Sequence, residues 1–136
     1  MSTDIYDIAG SAMHAQTIRL NTIASNIANA ETPAATAGAT YKPMQPVFAA
    51  AYAKQANQKG LASVQVLDVV KAGGDPIQRY EPNHPLANAQ GYVHYPNVDV
   101  VSEMADMMSA TRSFETNVEV LNSAKSMHQS LLRLGM

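Results

Sequence analysis

The sequence has no cysteine and no tryptophan, only two phenylalanines, and nine basic against eleven acidic residues among 136. Without cysteine, disulfide frameworks, thiolate metal sites and thiol catalysis are excluded. A formal charge of -2 leaves no electrostatic footprint for nucleic acid or an anionic membrane surface. No apolar run approaches the roughly twenty residues of a membrane span. The start, Met1-Ser2-Thr3-Asp4, lacks the basic region and apolar run of a cleavable signal peptide. Little aromatic bulk is available for a compact core, and much of the apolar content is alanine and methionine. The length predicts one domain, or one small domain with appended helices.

Catalytic signatures are missing too. No Gly-x-Ser-x-Gly elbow occurs, and Gly73-Gly74 is not followed by the Lys-Ser/Thr of a phosphate loop. The four histidines, His14, His84, His94 and His128, have no metal-ligand spacing. Met104, Met107 and Met108 stand at helical spacing, which marks packing residues rather than a soft-metal cluster. No enzyme activity, cofactor or metal is expected.

Proline and glycine are unevenly placed. All seven prolines and five of the seven glycines lie between Pro33 and Pro96, so both ends permit helix and the middle does not. The last third predicts a helix of roughly 55 Å from Asn97 to Leu134. Its apolar residues, Val101, Met104, Met107, Met108, Phe114, Val118, Leu121, Ala124, Met127, Leu131 and Leu134, recur in steps of three and four and predict one stripe. Asn97 or Asp99 can cap it. The first helix is predicted from about Asp4, as its cap, to Ala30. Tyr6, Met13, Leu20 and Ile27, with Ala9, Gln16, Ile23 and Ala30, repeat every seven residues as a seam with Gln16 as its polar interruption. Between Ile8 and Ala30 the only charge is Arg19. Small uncharged residues off the seam point to a helix packed on several sides, or lining a passage, since a solvated helix normally carries lysine and glutamate there.

Between the helices, Ala34 to Thr40 predicts a flexible linker and Tyr41 to Phe48 an extended edge with two prolines. Ala49 to Gln58 fits either a short helix or a loop. Leu61 to Val70 is the strongest strand, followed by a turn at Gly73-Gly74-Asp75-Pro76, a return strand at Ile77 to Tyr80 and a third short strand at Tyr92 to Tyr95. The fold class is therefore α+β: long N- and C-terminal helices pairing as an antiparallel coiled-coil hairpin, with a small β-rich module between them. The division is residues 1–33, the first helix and its terminating motif; 34–96, the β-rich middle with its linker; and 97–136, the last helix. The first helix, at roughly 40 Å, is shorter than the last. An apolar overhang from near Met127, with Leu131, Leu132 and Leu134, is then left for other subunits. Packing and assembly are expected to rest on Met13, Leu20, Ile23, Ile27, Met104, Met107, Phe114, Val118, Leu121, Leu131 and Leu132.

These residues resemble the bacterial flagellar rod and hook axial proteins, and among them the short proximal basal-body rod proteins of the FlgC type. Ala24-Ser25-Asn26-Ile27-Ala28-Asn29-Ala30-Glu31-Thr32 is similar to the motif ending the first helix in that family. Tyr80-Glu81-Pro82-Asn83-His84-Pro85, Gly91-Tyr92-Val93 and Pro96-Asn97-Val98-Asp99 are similar to the middle of the short rod type. Glu103-Met104, Ala110-Thr111-Arg112-Ser113-Phe114-Glu115-Thr116-Asn117-Val118 and Asn122-Ser123-Ala124-Lys125 match its last helix. Phe114 replaces a usual tyrosine, and Thr32-Pro33-Ala34-Ala35 lacks the Thr-Pro-Gly-Tyr form of the longer relatives. The motif residues carried over are Asn26, Asn29, Thr32, Pro96, Asn97, Arg112, Glu115 and Asn117.

The resemblance implies a non-enzymatic structural subunit, exported without a cleavable signal through the flagellar type III export apparatus. Such a subunit polymerises helically in the periplasm into the hollow drive shaft that transmits torque and surrounds the export channel. The implied partners are further copies of the chain, proximal and distal rod proteins and the proteins joining the rod to the MS ring. The competing class is a soluble helical adaptor or export chaperone of that secretion system. The proline-rich β module counts against it, because a helical chaperone has no need of one.

Overall fold

The computed structural model describes residues 2–52 and 60–136, with side chains from Asp4 onward in the first segment. Among the described residues, six main elements follow in order: α1 (Ser2–Asn29), β1 (Met44–Tyr52), β2 (Ala62–Lys71), β3 (Ile77–Tyr80), β4 (Tyr92–Tyr95) and α2 (Val100–Leu134). The fold is α+β, with two long terminal helices packed together and small sheets between them. Asp4 lies in the first turn of α1 rather than capping it. Asp99 caps α2: one of its carboxylate oxygens accepts from the Val101 N–H at 3.1 Å and the other from the Ser102 hydroxyl at 2.8 Å. The Ser102 hydroxyl, with the Ser102 and Val101 N–H groups, holds the Asp99 carboxyl below its ordinary pKa, as anion-stabilising donors at a helix N-terminus do.

The helices run antiparallel. Arg19 of α1 meets Asp106 of α2 at 3.3 Å, Asn26 meets Glu103, and Ile5 shares a groove with Val120 and Ala124. Within α2, Val100, Glu103, Met107, Ala110, Phe114, Asn117, Leu121 and Ala124 are buried or half-buried, with Ser113 and Val118 half-buried beside them, and Ala110 is fully buried. Their alternating steps of three and four form one seam of a 3.5-residue repeat. The single stripe predicted from the sequence is thus two. Val101, Met104, Met108, Met127, Leu131 and Leu134 are exposed on α2. Steps of three and four accumulate an angular drift, so an apolar series that wide spans the seam and its neighbouring face. From Lys125 to Met136 every residue is exposed, because α2 is the longer helix and outlasts its partner.

Among the described residues of the middle there are two separate two-stranded antiparallel sheets, β1 with β2 and β3 with β4. The return strand predicted after β2 therefore pairs elsewhere. The first ladder closes with the Ala72 N–H donating to the Pro43 carbonyl at 2.7 Å. Gly73, at φ 115°, packs on the Pro43 ring, and Gly74 lies against the Asn97 amide, so the chain turns toward β4. Ala49 to Tyr52 extend β1; the remainder of the ambiguous Ala49–Gln58 stretch lies outside the described residues. The predicted flexible linker is an ordered turn. Ala34 exchanges two backbone hydrogen bonds with His94, and a short 3-10 turn, Ala37–Ala39, is capped by the Thr36 side chain. Thr40 then returns a hydroxyl to the Thr36 carbonyl. Small polar residues bond to their own backbone here, which composition alone does not distinguish from flexibility.

α1 lies against the β1–β2 ribbon as well as α2, which accounts for its nearly uncharged surface. The Ser11 hydroxyl accepts from the Val64 N–H at 3.0 Å on the outer edge of β2. Across the β3–β4 connection, Gly91 adopts φ 84°, and a Cβ built there falls 2.9 Å from the Tyr80 ring and 3.2 Å from the Pro82 Cβ. Gly91→Ala is expected to lower stability by about 2 kcal/mol from left-handed strain and crowding, read as a lower urea midpoint at unchanged m.

Candidate assembly site

Asn26 is the junction of the molecule. It is 1 % exposed, an unusual burial for asparagine. Its Oδ1 accepts from the Met44 N–H at 2.9 Å and from the Tyr41 hydroxyl at 2.8 Å. Its Nδ2 donates to the Met44 carbonyl at 2.9 Å and to Glu103 Oε1 at 3.3 Å. Both donor hydrogens and both acceptor lone pairs are used. Toward Met44 the amide acts as one residue of a neighbouring strand, offering a donor and an acceptor to the outer edge of β1. One side chain therefore ties α1, β1 and α2 into a fixed arrangement. Ser25, one residue before, lies 3.0 Å from the Tyr41 hydroxyl, and Asn29 Nδ2 donates to the Ser25 carbonyl at 2.9 Å.

A second clamp holds the β3–β4 sheet to the end of α1. Arg79 donates to both Glu31 carboxylate oxygens, at 3.0 and 3.4 Å, and its guanidinium lies 4.4 Å from the centre of the Tyr95 ring. Tyr95 donates its hydroxyl to Glu81 at 3.0 Å. The Glu31 contact raises the Arg79 pKa, so this cation keeps its charge. Burial, then the hydrogen bond and charge of Glu81, push the Tyr95 phenol above its ordinary value, so it remains the donor. Val93 is fully buried and His94 nearly so; the His94 Nε2 lies 3.2 Å from Gln78.

Of the residues expected to carry packing, Ile23 is 4 % exposed, while Met13, Leu20, Ile27, Met107, Phe114, Val118 and Leu121 are half-buried. Met104 is exposed on the side of α2 away from the seam, and Leu131 and Leu132 are exposed in the overhang beyond the end of α1. The structure therefore separates the predicted group into an internal seam, an outer face and an overhang. Among the described residues, no three His, Asp or Glu side chains converge on a common point, and no helix is long and apolar enough to cross a membrane. The contacts at Asn26 and at the clamp hold elements of the fold together.

Comparison with known proteins matches the sequence of both helices to flagellar rod proteins. Residues 7–36 match the model described as flagella basal body rod protein, and residues 89–134 match the C-terminal model of the flagellar basal body rod FlgEFG proteins. Similarity extends beyond the helices to whole chains. The flagellar basal-body rod protein FlgC of Escherichia coli O6:H1 is 49 % identical over 132 residues, covering 97 % of this chain and 96 % of its own. The chain belongs to the FlgC family of flagellar basal-body rod proteins. FlgC of Salmonella typhimurium is 46 % identical with the same coverage, and that of Aquifex aeolicus 36 % over 90 % of this chain and 89 % of its own.

As a FlgC-family member the chain is a structural, non-enzymatic rod subunit of the flagellar basal body. The residues carried over from the resemblance take distinct positions in it. Asn26 is the buried junction and Asn29 supports the same turn of helix. The Thr32 N–H donates to the Asn29 carbonyl as α1 ends. Pro96 is buried, and Asn97 packs on Gly74. Asn117 lies in the helix seam, where its amide donates to the Ser113 carbonyl at 2.7 Å. Arg112 and Glu115 are exposed on α2. The clamp residues Glu31, Arg79 and Tyr95 were not singled out as a site from the sequence: they are 48 and 16 positions apart, and only the fold brings them together. The one available signal was their presence within or beside the motif segments.

Proposed function

We propose that this chain polymerises helically with other rod subunits into the hollow drive shaft that transmits torque and surrounds the export channel. In this reading the paired terminal helices form the wall, with the outer face and overhang of α2 set against neighbouring subunits. The observation that carries it is the apolar surface left open on α2. Met104 and Met108 are 53 and 61 % exposed, and Met127, Leu131 and Leu134 continue the apolar character beyond the end of α1. An exposed series of this kind marks a contact surface, and a helix pair of this shape presents it along its length. Copies of this chain, other proximal and distal rod proteins and the proteins joining rod to MS ring are the partners that fit. Arg112, with Glu115 or Glu119, adds exposed charges to the same helix for contact with neighbouring subunits, each such contact contributing about 0–1 kcal/mol.

The site of assembly in this proposal is the periplasm, reached as an unfolded chain through the type III export apparatus. The absence of cysteine suits passage into an oxidising space. A core built largely of alanine, with Val93 and Asn26 as its largest fully buried side chains, suits a subunit whose order is completed by its neighbours. In the free chain, the start of α1 and the overhang of α2 then exchange amide hydrogens rapidly and gain protection on assembly.

The combined substitution Met104→Glu and Met108→Glu tests the reading. Helix content of the free subunit is expected to stay unchanged, since neither residue lies in the seam. Co-sedimentation with the other rod proteins, and motility of cells relying on the variant, are expected to be lost. Normal motility would refute the use of this face.

A further inference from the structure

We propose that the outer edge of β1 from Phe48 to Tyr52 is a strand-pairing site for a second copy of this chain, edge against edge. The inference rests on where the backbone groups of the β1–β2 ribbon point. Because the Val64 N–H donates to Ser11, it faces away from β1. Its register partner Ala50 therefore belongs to a non-hydrogen-bonded pair, and the Ala50 N–H and C=O also face outward. Asn26 reaches Met44 from that same outer side. Residues 44, 46, 48, 50 and 52 thus line one edge, while odd-numbered residues serve the ladder.

The ribbon protects its edges selectively. On β2, Ser11 covers Val64, and the Asp68 carboxylate accepts from the Val69 N–H at 2.7 Å. On β1, Asn26 satisfies both groups of Met44, and Pro46 has no N–H to offer. Protection stops there. Phe48 and Ala50 have no outward backbone partner among the described residues, and Tyr52 continues the same row. Val47 to Tyr52 contains no charge and no proline, the devices that normally blunt an edge.

A second copy is the occupant this edge fits. Laid antiparallel about a two-fold axis at Ala50, the row is self-complementary: Ala50 faces its own counterpart, and Phe48 faces the partner's Tyr52. Two aromatic cross-strand pairs form and no like charges meet. Phe48 and Tyr52 are 38 and 73 % exposed, so both rings have apolar surface to bury. Two marginal two-stranded ribbons become one four-stranded sheet. Pro46 on each copy limits the pairing to this segment. None of these residues belongs to α2, so the contact is separable from the outer helix face and does not depend on the proposed function.

The test uses the full chain carrying Met104→Glu, Met108→Glu and Leu131→Glu, which removes association through the helix face. Sedimentation across a concentration series is expected to show a monomer–dimer equilibrium. Amide exchange at Phe48, Ala50 and Tyr52 is expected to slow on dimerisation. Ala50→Pro in that background removes an outward N–H but no ladder bond, as Pro46 already does. It is expected to weaken dimerisation about tenfold or more at unchanged circular dichroism. Phe48→Pro repeats the logic, so whichever variant keeps its fold decides. A chain monomeric at every concentration, or a folded proline variant dimerising like its parent, overturns the proposal.

Discussion

Asn26→Ala is expected to cost about 3–4 kcal/mol, a large share of the 5–15 kcal/mol that holds a domain of ordinary stability. The reason is what the truncation leaves behind. Met44 loses the partner of both its N–H and its C=O, Tyr41 loses an acceptor, and Glu103 loses a donor. Groups stripped of partners in a buried setting cost more than the bonds were worth in water. Urea unfolding of the purified subunit should show the midpoint falling at unchanged m. Asn26→Asp separates geometry from bonding. The carboxylate keeps the two acceptor contacts, but it has no N–H for the Met44 carbonyl and repels Glu103. It should be at least as destabilising at neutral pH and partly recover in acid, when the introduced carboxyl is protonated. A neutral outcome for Asn26→Ala would show that α1, β1 and α2 are held together by apolar packing alone.

Leu121→Asp is expected to be comparably severe for folding and complete for assembly. Leu121 is half-buried in the helix seam, three residues before Ala124 and seven after Phe114. A carboxylate there must lose hydration or force the helices apart. Either outcome costs about 3 kcal/mol once the lost apolar burial is included. α1 should lose its partner near its own N-terminus first, because the antiparallel pairing places Ile5 beside Val120 and Ala124. Hydrogen exchange would show this as deprotection of the first turns of α1, with the β3–β4 sheet and its Arg79 clamp largely unaffected. In cells the variant should be expressed and fail to form a rod; normal motility would overturn the pairing as the basis of assembly. Met104→Glu with Met108→Glu contrasts with it directly, abolishing assembly with little change in helix content.

The contrast between the seam and the outer face shows how far sequence patterning reaches here. Composition and periodicity determined the two helices, because steps of three and four are geometrically compatible with nothing else over such lengths. The distribution of proline and glycine determined that the middle is not helical. Asn97 and Asp99, preceding a long proline-free run, marked where α2 begins to within a few residues, and the structure takes Asp99 as the cap. Arg19 as the only charge in most of α1 pointed to packing on several sides, which the ribbon and α2 supply. The motif around Asn26 marked the end of α1 and the family, yet nothing in it distinguished a surface asparagine from a buried one.

What the tertiary structure alone decided is which partner each local element takes. α2 carries two apolar faces of similar character, and only the docking of α1 makes one the seam and leaves the other open. Two consecutive strands have compatible propensities, but Gly73 against Pro43 and Gly74 against Asn97 turn β3 away from β2 toward β4. Asn26 becomes a junction because Met44, Tyr41 and Glu103 converge on it from up to 77 residues away. Local patterning specifies which backbone conformation is favoured, since that depends on near neighbours. The identity of a distant contact depends on how the completed elements fill space, and no short window of sequence contains that information.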